Sequence, residues 1–432
     1  MGKDLLEYIN NRKVTLPTKS ISFVLRVILK AKTMFSPKAK YVYHDDFKQF
    51  KNKPLILIGD HCSRDNFYYM IYGWKFTNPN VVVGYQNVFV KGLFKILLKA
   101  QVILKSLYET DLNAVRNMMS VIKEGGTICL FPEGIQSTSG STHPMNPATL
   151  KFLKKMKVPV ILCKSYGSYL LRPRYKNEVS KGHHEYHYQI LFTPEELEQL
   201  SVEELYDKYL KEFSYNDLIW NETHHYKYKG KTPTINGLEK IIYRCPKCLS
   251  EFQMEIKDSR MKCKCCGNEI EMDDEYQIHP VGDSYLPYRN IDEWFKDQRK
   301  EVVKELKEGD INITYECDLI DIYTKKLKSD PYYIAGHGFM TIKKDGLKYV
   351  GTRNGEEVEY NYNIASTPSF PFTPGKDNDL YFANKYNGFR PVKDNIKVVK
   401  YMLYVEEAHN LVDPAWNKAS RDVYDWGLKW LI

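Results

Sequence analysis

The stretch that sets the architecture is PLILIGD, residues 54–60. Its apolar run Leu55–Ile58 is short, continuous and bounded by Pro54 and Gly59, the pattern of a strand buried on both faces. Four runs further along have the same character: NVVVGY (80–85), QVILKS (101–106), TICLFPEG (127–134) and VPVILCKSYG (158–167). Between them, Val115, Met118, Met119 and Ile122 recur at helical spacing. Strand and helix in alternation predict an α/β layer with a mainly parallel sheet, whose chemistry is expected at the carboxyl ends of the strands.

His61 follows the first of these strands, in GDHCSRDN (59–66). Asp65 comes four residues on. If the chain turns into a helix here, positions i and i+4 share a face, so the carboxylate can accept the imidazole N–H and leave the other nitrogen to act as a base. Alone, such a pair is more often a surface contact. A second element adds weight: TICL runs into Phe131-Pro132-Glu133-Gly134, then Ile135, Gln136, Ser137 and a Ser/Gly-rich loop. Pro132 and Gly134 predict a tight turn at a strand end, with Glu133 and freed backbone N–H groups aimed at the crevice.

Together these motifs resemble the glycerolipid (1-acylglycerol-3-phosphate) acyltransferase family. That family carries Asn-His-x4-Asp after its first strand, Phe-Pro-Glu-Gly-Thr-Arg-Ser after a later one, and a Val-Pro-Val strand beyond. The matches here are Asp60-His61 with Asp65, Phe131 to Gly134 with Ser137, and Val158-Pro159-Val160, in the same order. The resemblance covers about residues 54–221. It implies an acyltransferase in which His61, oriented by Asp65, deprotonates an acceptor hydroxyl, which then attacks an acyl thioester on coenzyme A or acyl carrier protein. Glu133 and Gly134 are expected to shape the acceptor pocket, with Ser137, Lys105 and Arg116 as polar or phosphate contacts. Three departures stand out: Asn66, not Asp65, holds the family's five-residue position; Gln136 replaces an arginine that helps hold the acceptor phosphate; and Ile135 replaces a threonine. Charge favours Asp65 over Asn66 as partner, because an amide cannot stabilise an imidazolium as a carboxylate does.

The formal net charge is +9, which attracts anionic lipid, acidic substrates or nucleic acid alike. Basic residues are spread through the chain, which disfavours nucleic acid. Two stretches mix apolar and basic residues as a membrane surface requires: ISFVLRVILKAKTMF (21–35) and VFVKGLFKILLKAQVILK (88–105). No uncharged apolar run of about 18 residues is present. The protein is therefore expected to be cytoplasmic and peripheral, on the inner face of an anionic membrane.

Nine cysteines include Cys245, Cys248, Cys263 and Cys266, two C-x2-C knuckles fourteen residues apart. Four thiolates at this spacing predict a structural zinc ribbon with no open ligand position. His183, His184 and His187 read as a solvated edge, and Trp416, Trp426 and Trp430 as packing residues or a membrane-facing patch. The expected layout is an acyltransferase domain over 1–221, a polar linker over 222–240, the ribbon over 241–285 and a small β-rich domain over 286–432. The strand-and-helix order of that last part resembles a pleckstrin-homology-like barrel. The competing reading is a non-catalytic lipid- or nucleic-acid-binding adaptor.

Overall fold

The computed structural model describes residues 9, 12–34, 37–51, 53–106, 111–324, 327–382 and 385–426. Its first sheet has seven strands: β1 (Ala39–Tyr43), β2 (Leu55–Gly59), β3 (Pro79–Gly84), β4 (Ile103–Lys105), β5 (Thr127–Leu130), β6 (Val160–Tyr166) and β7 (His184–Phe192), in the order β1-β7-β6-β2-β5-β3-β4. The pairs from β6 through β2, β5 and β3 to β4 are parallel, and β7 runs antiparallel to β6. The expected mainly parallel layer is present, with β2 at its centre. All five residues of β2 are buried, which is why its sequence is apolar without alternation.

Helices close the layer. Thr193 and Ser201 each form a reciprocal capping box, with Glu196 and Glu204, opening the helices Pro194–Gln199 and Val202–Phe213. The helix Asp217–His224 follows. Beyond it, the stretch read as a linker is packed: Tyr228, Ile235 and Leu238 are fully buried, and the Tyr228 hydroxyl donates to the carbonyl of His183 (2.7 Å). Its polar, turn-rich composition signalled irregular backbone; the few apolar side chains within it are enough to dock it.

The cysteine region folds as a four-stranded antiparallel sheet, β8 (Met254–Lys257), β9 (Arg260–Cys263), β10 (Glu269–Met272) and β11 (Ile278–Pro280). The helix Ile291–Glu308 then leads to a second seven-stranded sheet: β12 (Asn312–Ile322), β13 (Tyr332–Lys343), β14 (Gly346–Arg353), β15 (Glu356–Asn363), β16 (Phe372–Thr373), β17 (Asp377–Phe382) and β18 (Lys385–Pro391). Its order is β15-β14-β13-β12-β18-β17-β16, antiparallel throughout. Among the described residues β15 and β16 do not pair, so the hydrogen bonding does not close into a barrel. The helix Val398–Val412 packs against the helix Ile291–Glu308 through Arg299, which is buried between Glu406 (2.6 Å) and Glu407 (2.8 Å).

These parts share one hydrophobic core, running without a break from Ile56 and Leu162 through Ile242 and Met261 to Leu319 and Leu403. A second cluster corrects the reading of residues 88–105 as a lipid-dipping helix. The stretch contains only the short helix Leu93–Lys99, and Val88, Phe89, Phe94, Val102 and Leu104 are buried against Ile320, Ile322 and Tyr386 of the second sheet. Most of its apolar residues are covered by protein, and only Leu93 and Ile96 stay exposed. Trp416 is half-buried against His409; Trp430 and the side chain of Trp426 lie outside the described residues.

Candidate functional site

The carboxyl end of β2 delivers Asp60 and His61, and the helix Asn66–Gly73 begins only after the loop 60–65. His61 therefore does not lie on a helix, and the i, i+4 geometry expected for Asp65 does not arise. The Asp65 carboxylate instead accepts from Arg172 Nη1 at 2.9 Å. The residue at the imidazole is Asn66. Its Nδ2 donates to the carbonyl of Asp60 (2.6 Å) and to Asp60 Oδ1 (2.9 Å). That fixes the amide orientation and turns Oδ1 away from Asp60. Asn66 Oδ1 and His61 Nδ1 are both buried and make no hydrogen bond, to each other included, while the amide lies close enough to favour the protonated ring.

Asp60 is buried and anchored in turn: Ser165, on the neighbouring β6, donates its backbone N–H to Oδ2 (2.5 Å) and its hydroxyl to Oδ1 (2.7 Å). A carboxyl group thus fixes an amide, and that amide lies beside the histidine without a hydrogen bond to it. Relative to the Asn-His-x4-Asp motif, the amide and the carboxylate have changed places, and they hydrogen-bond each other across the loop. Burial dominates the electrostatics of His61. It pushes the imidazole down to about 4, with the positive charge of Arg174 acting the same way and Asn66 opposing. The ring is held neutral, which is the state a base must start from.

Glu133 is 3% exposed and has no free face. Oε1 accepts the backbone N–H of His61 (2.7 Å), Oε2 accepts the backbone N–H of His143 (2.6 Å), and the Tyr215 hydroxyl donates to Oε2 (3.2 Å). Burial raises this carboxyl to about 8 against those donors. Glu133 therefore braces two loops and does not line an acceptor pocket. Gly134 takes a positive φ of 73°, and a Cβ there would meet nothing within 4 Å, so it serves the turn after β5. The Ser137 hydroxyl is also committed, donating to the carbonyl of Ser141 (2.6 Å) and accepting from Gly140 (3.1 Å). Lys105 Nζ donates to the carbonyl of Ser106 (2.9 Å) at the end of β4, three places from β2 in the strand order. Arg116 is exposed on the helix Leu112–Lys123.

Gln136 brings no charge, but its carbonyl accepts from Arg174 Nη1 (2.6 Å). Arg174 also reaches the carbonyl of Phe372 on β16 (2.5 Å) and lies 4.7 Å above that ring. The loop 131–143 is gripped from the other side too. Ser139 and Ser141 donate to Asp292 Oδ1 (2.6 and 2.7 Å), Asn216 donates to Oδ2 (2.9 Å), and Lys296 pairs with the same carboxylate at 2.8 Å. The C-terminal parts thus hold the loop after the FPEG turn. Of the residues missed or ranked second in the sequence, Asn66 had its spacing as a signal, and Arg172 and Arg174 stand out as the basic pair in LLRPRYK (170–176) after the Val-Pro-Val strand.

The ribbon brings Cys245, Cys248, Cys263 and Cys266 together, their sulfurs all within 4.8 Å of one another. Cys245–Cys266 and Cys248–Cys263 are each 3.7 Å apart. Four sulfurs about 2.3 Å from a tetrahedral centre would be separated by about 3.8 Å, so the donor set fits zinc. His183 and His187 do not build a second such centre among the described residues: Nε2 of each is taken up by Glu185 at 2.7 Å, and His184 is buried against the carbonyl of Pro37 (3.0 Å).

Residues 39–164 match the family model described as Acyltransferase, and this domain makes the chain an acyltransferase. Among solved structures, the chain is similar to the 1-acyl-sn-glycerophosphate (LPA) acyltransferase PlsC from Thermotoga maritima, at 21% identity and a TM-score of 0.38, over 45% of this chain and 76% of that one. No curated protein matches the chain.

The neutral, buried histidine gives a pH test. Its folded pKa of about 4 lies below the usual value of about 6.5, so the folded state binds fewer protons between the two. Stability from this group is complete above about 6.5 and is lost as the pH falls through about 4. Titration of the His61 ring protons by NMR is expected to show that depressed midpoint, and Asn66→Asp is expected to raise it by placing a negative charge at the ring. A wild-type midpoint near 6.5 would contradict the buried relay.

Proposed function

We propose that this acyltransferase moves a fatty acyl group from a thioester, on coenzyme A or acyl carrier protein, to a hydroxyl of a lysophospholipid-like acceptor at a membrane surface. The observation that supports the reading is His61 at the carboxyl end of the central strand, with Asn66 fixed beside it by Asp60 and its backbone N–H held by Glu133 of the FPEG turn. With Nδ1 turned toward Asn66, Nε2 is the nitrogen that takes the acceptor's proton. The acceptor oxygen then attacks the thioester carbonyl, the C–S bond breaks, and the thiolate leaves with the proton carried by His61. Asn66 orients the ring, and Asp60 orients Asn66. Because Asp60 reaches the imidazole only through an amide, its charge acts at second hand.

In this reading residues 1–221 form the catalytic domain, residues 241–285 a zinc ribbon and residues 286–432 a β-rich domain. Zinc is bound by the four thiolates as a structural ion, with no part in the transfer. The membrane contact is narrower than two basic helices. On the helix Lys19–Met34, Phe23 (69%), Val24 (48%), Val27 (51%), Ile28 (38%) and Met34 (67%) are exposed on one side, with exposed Lys19, Lys30 and Lys32 around them. An apolar stripe edged with lysines suits the headgroup boundary of an anionic leaflet. No described helix is long and apolar enough to cross a membrane.

Three experiments test the reading. With labelled acyl thioesters and a panel of lysophospholipids in vesicles, His61→Ala and Asn66→Ala are each expected to cut turnover by at least about two orders of magnitude, the scale of a positioned general base, while Asp65→Asn changes it much less. Full activity in a folded His61→Ala protein would refute the base assignment. Elemental analysis is expected to find one zinc per chain, and Cys248→Ser to lower it together with thermal stability of the ribbon; protein purified without chelator and free of zinc would overturn this. In flotation assays with anionic vesicles, the double substitution Phe23→Asp and Val27→Asp is expected to abolish association, which high salt should also weaken. Unchanged flotation would place the membrane contact elsewhere.

A further inference from the structure

The loop that carries His61 also carries a cation with nothing to pair with. Arg64 is half-buried, and among the described residues it makes no hydrogen bond or ion pair. Its immediate neighbours are Asp65 and Arg172, and Asp65 is already engaged by Arg172 Nη1 at 2.9 Å. Arg172 has spare capacity as well, since its Nε is buried without a partner. Arg172 therefore takes up the one carboxylate beside Arg64, leaving a net positive charge in a partly dry place. Burial and the like charge of Arg172 both depress the pKa of Arg64, and Asp65 only partly compensates.

Two other guanidiniums of the molecule are matched by carboxylates. Arg299 is buried with two carboxylates, Glu406 and Glu407, and Arg353 is paired with Asp321 and hydrogen-bonded to Asn387 (2.7 Å). An uncompensated, partly desolvated charge is costly in a folded chain. A ligand anion would satisfy it.

Two further features converge on the same spot. The helix Asn66–Gly73 starts here, and Asp65 at its cap makes no side-chain capping bond, so the positive end of the helix adds to the field. Tyr68, in its first turn, feels both Asp65 and Arg172, and its ring lies 5.1 Å from Lys32 Nζ. Lys32 belongs to the helix Lys19–Met34, whose exposed apolar stripe is the proposed lipid-facing surface. The cluster thus links the catalytic loop to that helix.

We propose that Arg64 and Arg172 form the binding site for the phosphate of the acyl acceptor's headgroup, with the helix start at Asn66 and Lys32 completing its positive rim. A guanidinium fork matches phosphate oxygens two at a time, and Arg64, three residues after His61 on the same loop, would hold the acceptor's hydroxyl near the base. The loop would in this way supply the charge that Gln136 does not. The inference rests on the acyl-transfer reading for the identity of the ligand, not for the existence of an anion site.

Binding, not turnover, tests it. The full-length protein and Arg64→Gln are compared by calorimetry with three probes: a short-chain 1-acylglycerol 3-phosphate, the matching phosphate-free monoacylglycerol, and coenzyme A. The expected result is that Arg64→Gln weakens the phosphate-bearing lipid at least about tenfold and leaves the monoacylglycerol and coenzyme A unchanged. Because Arg64 has no partner to lose, the melting temperature of the ligand-free variant should equal or exceed that of the wild type. Arg64→Lys should recover part of the affinity, as a point charge without the fork. Equal affinity of wild type and Arg64→Gln for the phosphate-bearing lipid overturns the proposal, and so does a loss confined to coenzyme A, which would assign the site to the donor. If the binding pattern holds and no acyl transfer is found, the anion site stands and the reading of the activity falls.

Discussion

The Glu133 carboxylate ties together backbone from two loops, 72 and 10 residues away along the chain. One oxygen holds the N–H of His61, the other the N–H of His143, and Tyr215 adds a hydroxyl. A carboxyl group buried this deeply is unfavourable on its own, as its shift to about 8 shows. It is tolerated because three donors meet it there, two of them amides that would otherwise be orphaned at strand ends. The geometry of His61 follows from this: with its backbone N–H fixed, the ring is set relative to β2 on one side and to Asn66 on the other.

The same brace extends the influence of the C-terminal half into the site. His143, held by Glu133 through its backbone, presents Nε2 to Glu406 at 3.5 Å. Glu406 is kept well down, to about 2, by Arg299 and His143 in spite of its burial. Asp292 gathers Ser139, Ser141, Asn216 and Lys296 around one carboxylate. Each of these groups is expensive to bury and is satisfied only when the helices Ile291–Glu308 and Val398–Val412 sit where they do. The loop after the FPEG turn is thus shaped by residues more than 150 positions away. In this chain the attached ribbon and sheet act as part of the wall of the catalytic unit, and the continuous hydrophobic core says the same in apolar terms.

What the sequence made legible was whatever local pattern controls. β2, β5 and β6 were read from continuous apolar runs because a strand covered on both faces leaves that signature. The helix starts at Thr193 and Ser201 were read from capping chemistry, which is local by nature. The four cysteines were read from spacing alone, and their sulfurs do converge. Harder to read was anything decided by a distant partner. Residues 88–105 have the amphipathic look of a lipid-facing helix, yet Ile320, Ile322 and Tyr386 cover most of their apolar side chains. A pattern of apolar and basic residues states only that a face will be covered. It does not say by what. The helix Lys19–Met34 has the same kind of sequence and stays uncovered, and only the fold separates the two cases.

The partner of His61 shows the limit most sharply. An i, i+4 contact between His61 and Asp65 requires a helix, but the helix begins at Asn66, so the loop 60–65 presents its side chains by its own irregular geometry. Asp65 turns to Arg172, and the amide one residue on meets the ring. Charge was the other argument for Asp65, and it was not wrong in kind, since a carboxylate does stand behind the histidine; it comes from Asp60, through Asn66. A direct carboxylate would favour the imidazolium strongly and hold the ring partly protonated near neutral pH. In the proposed mechanism an interposed amide would orient the ring while leaving burial to keep it neutral, so the base would be available at lower pH but weaker once it has the task of holding a proton. Exchanging the amide and the carboxylate within one motif therefore shifts the balance between a base that is ready and a base that is strong, with no change in the atoms that meet the substrate.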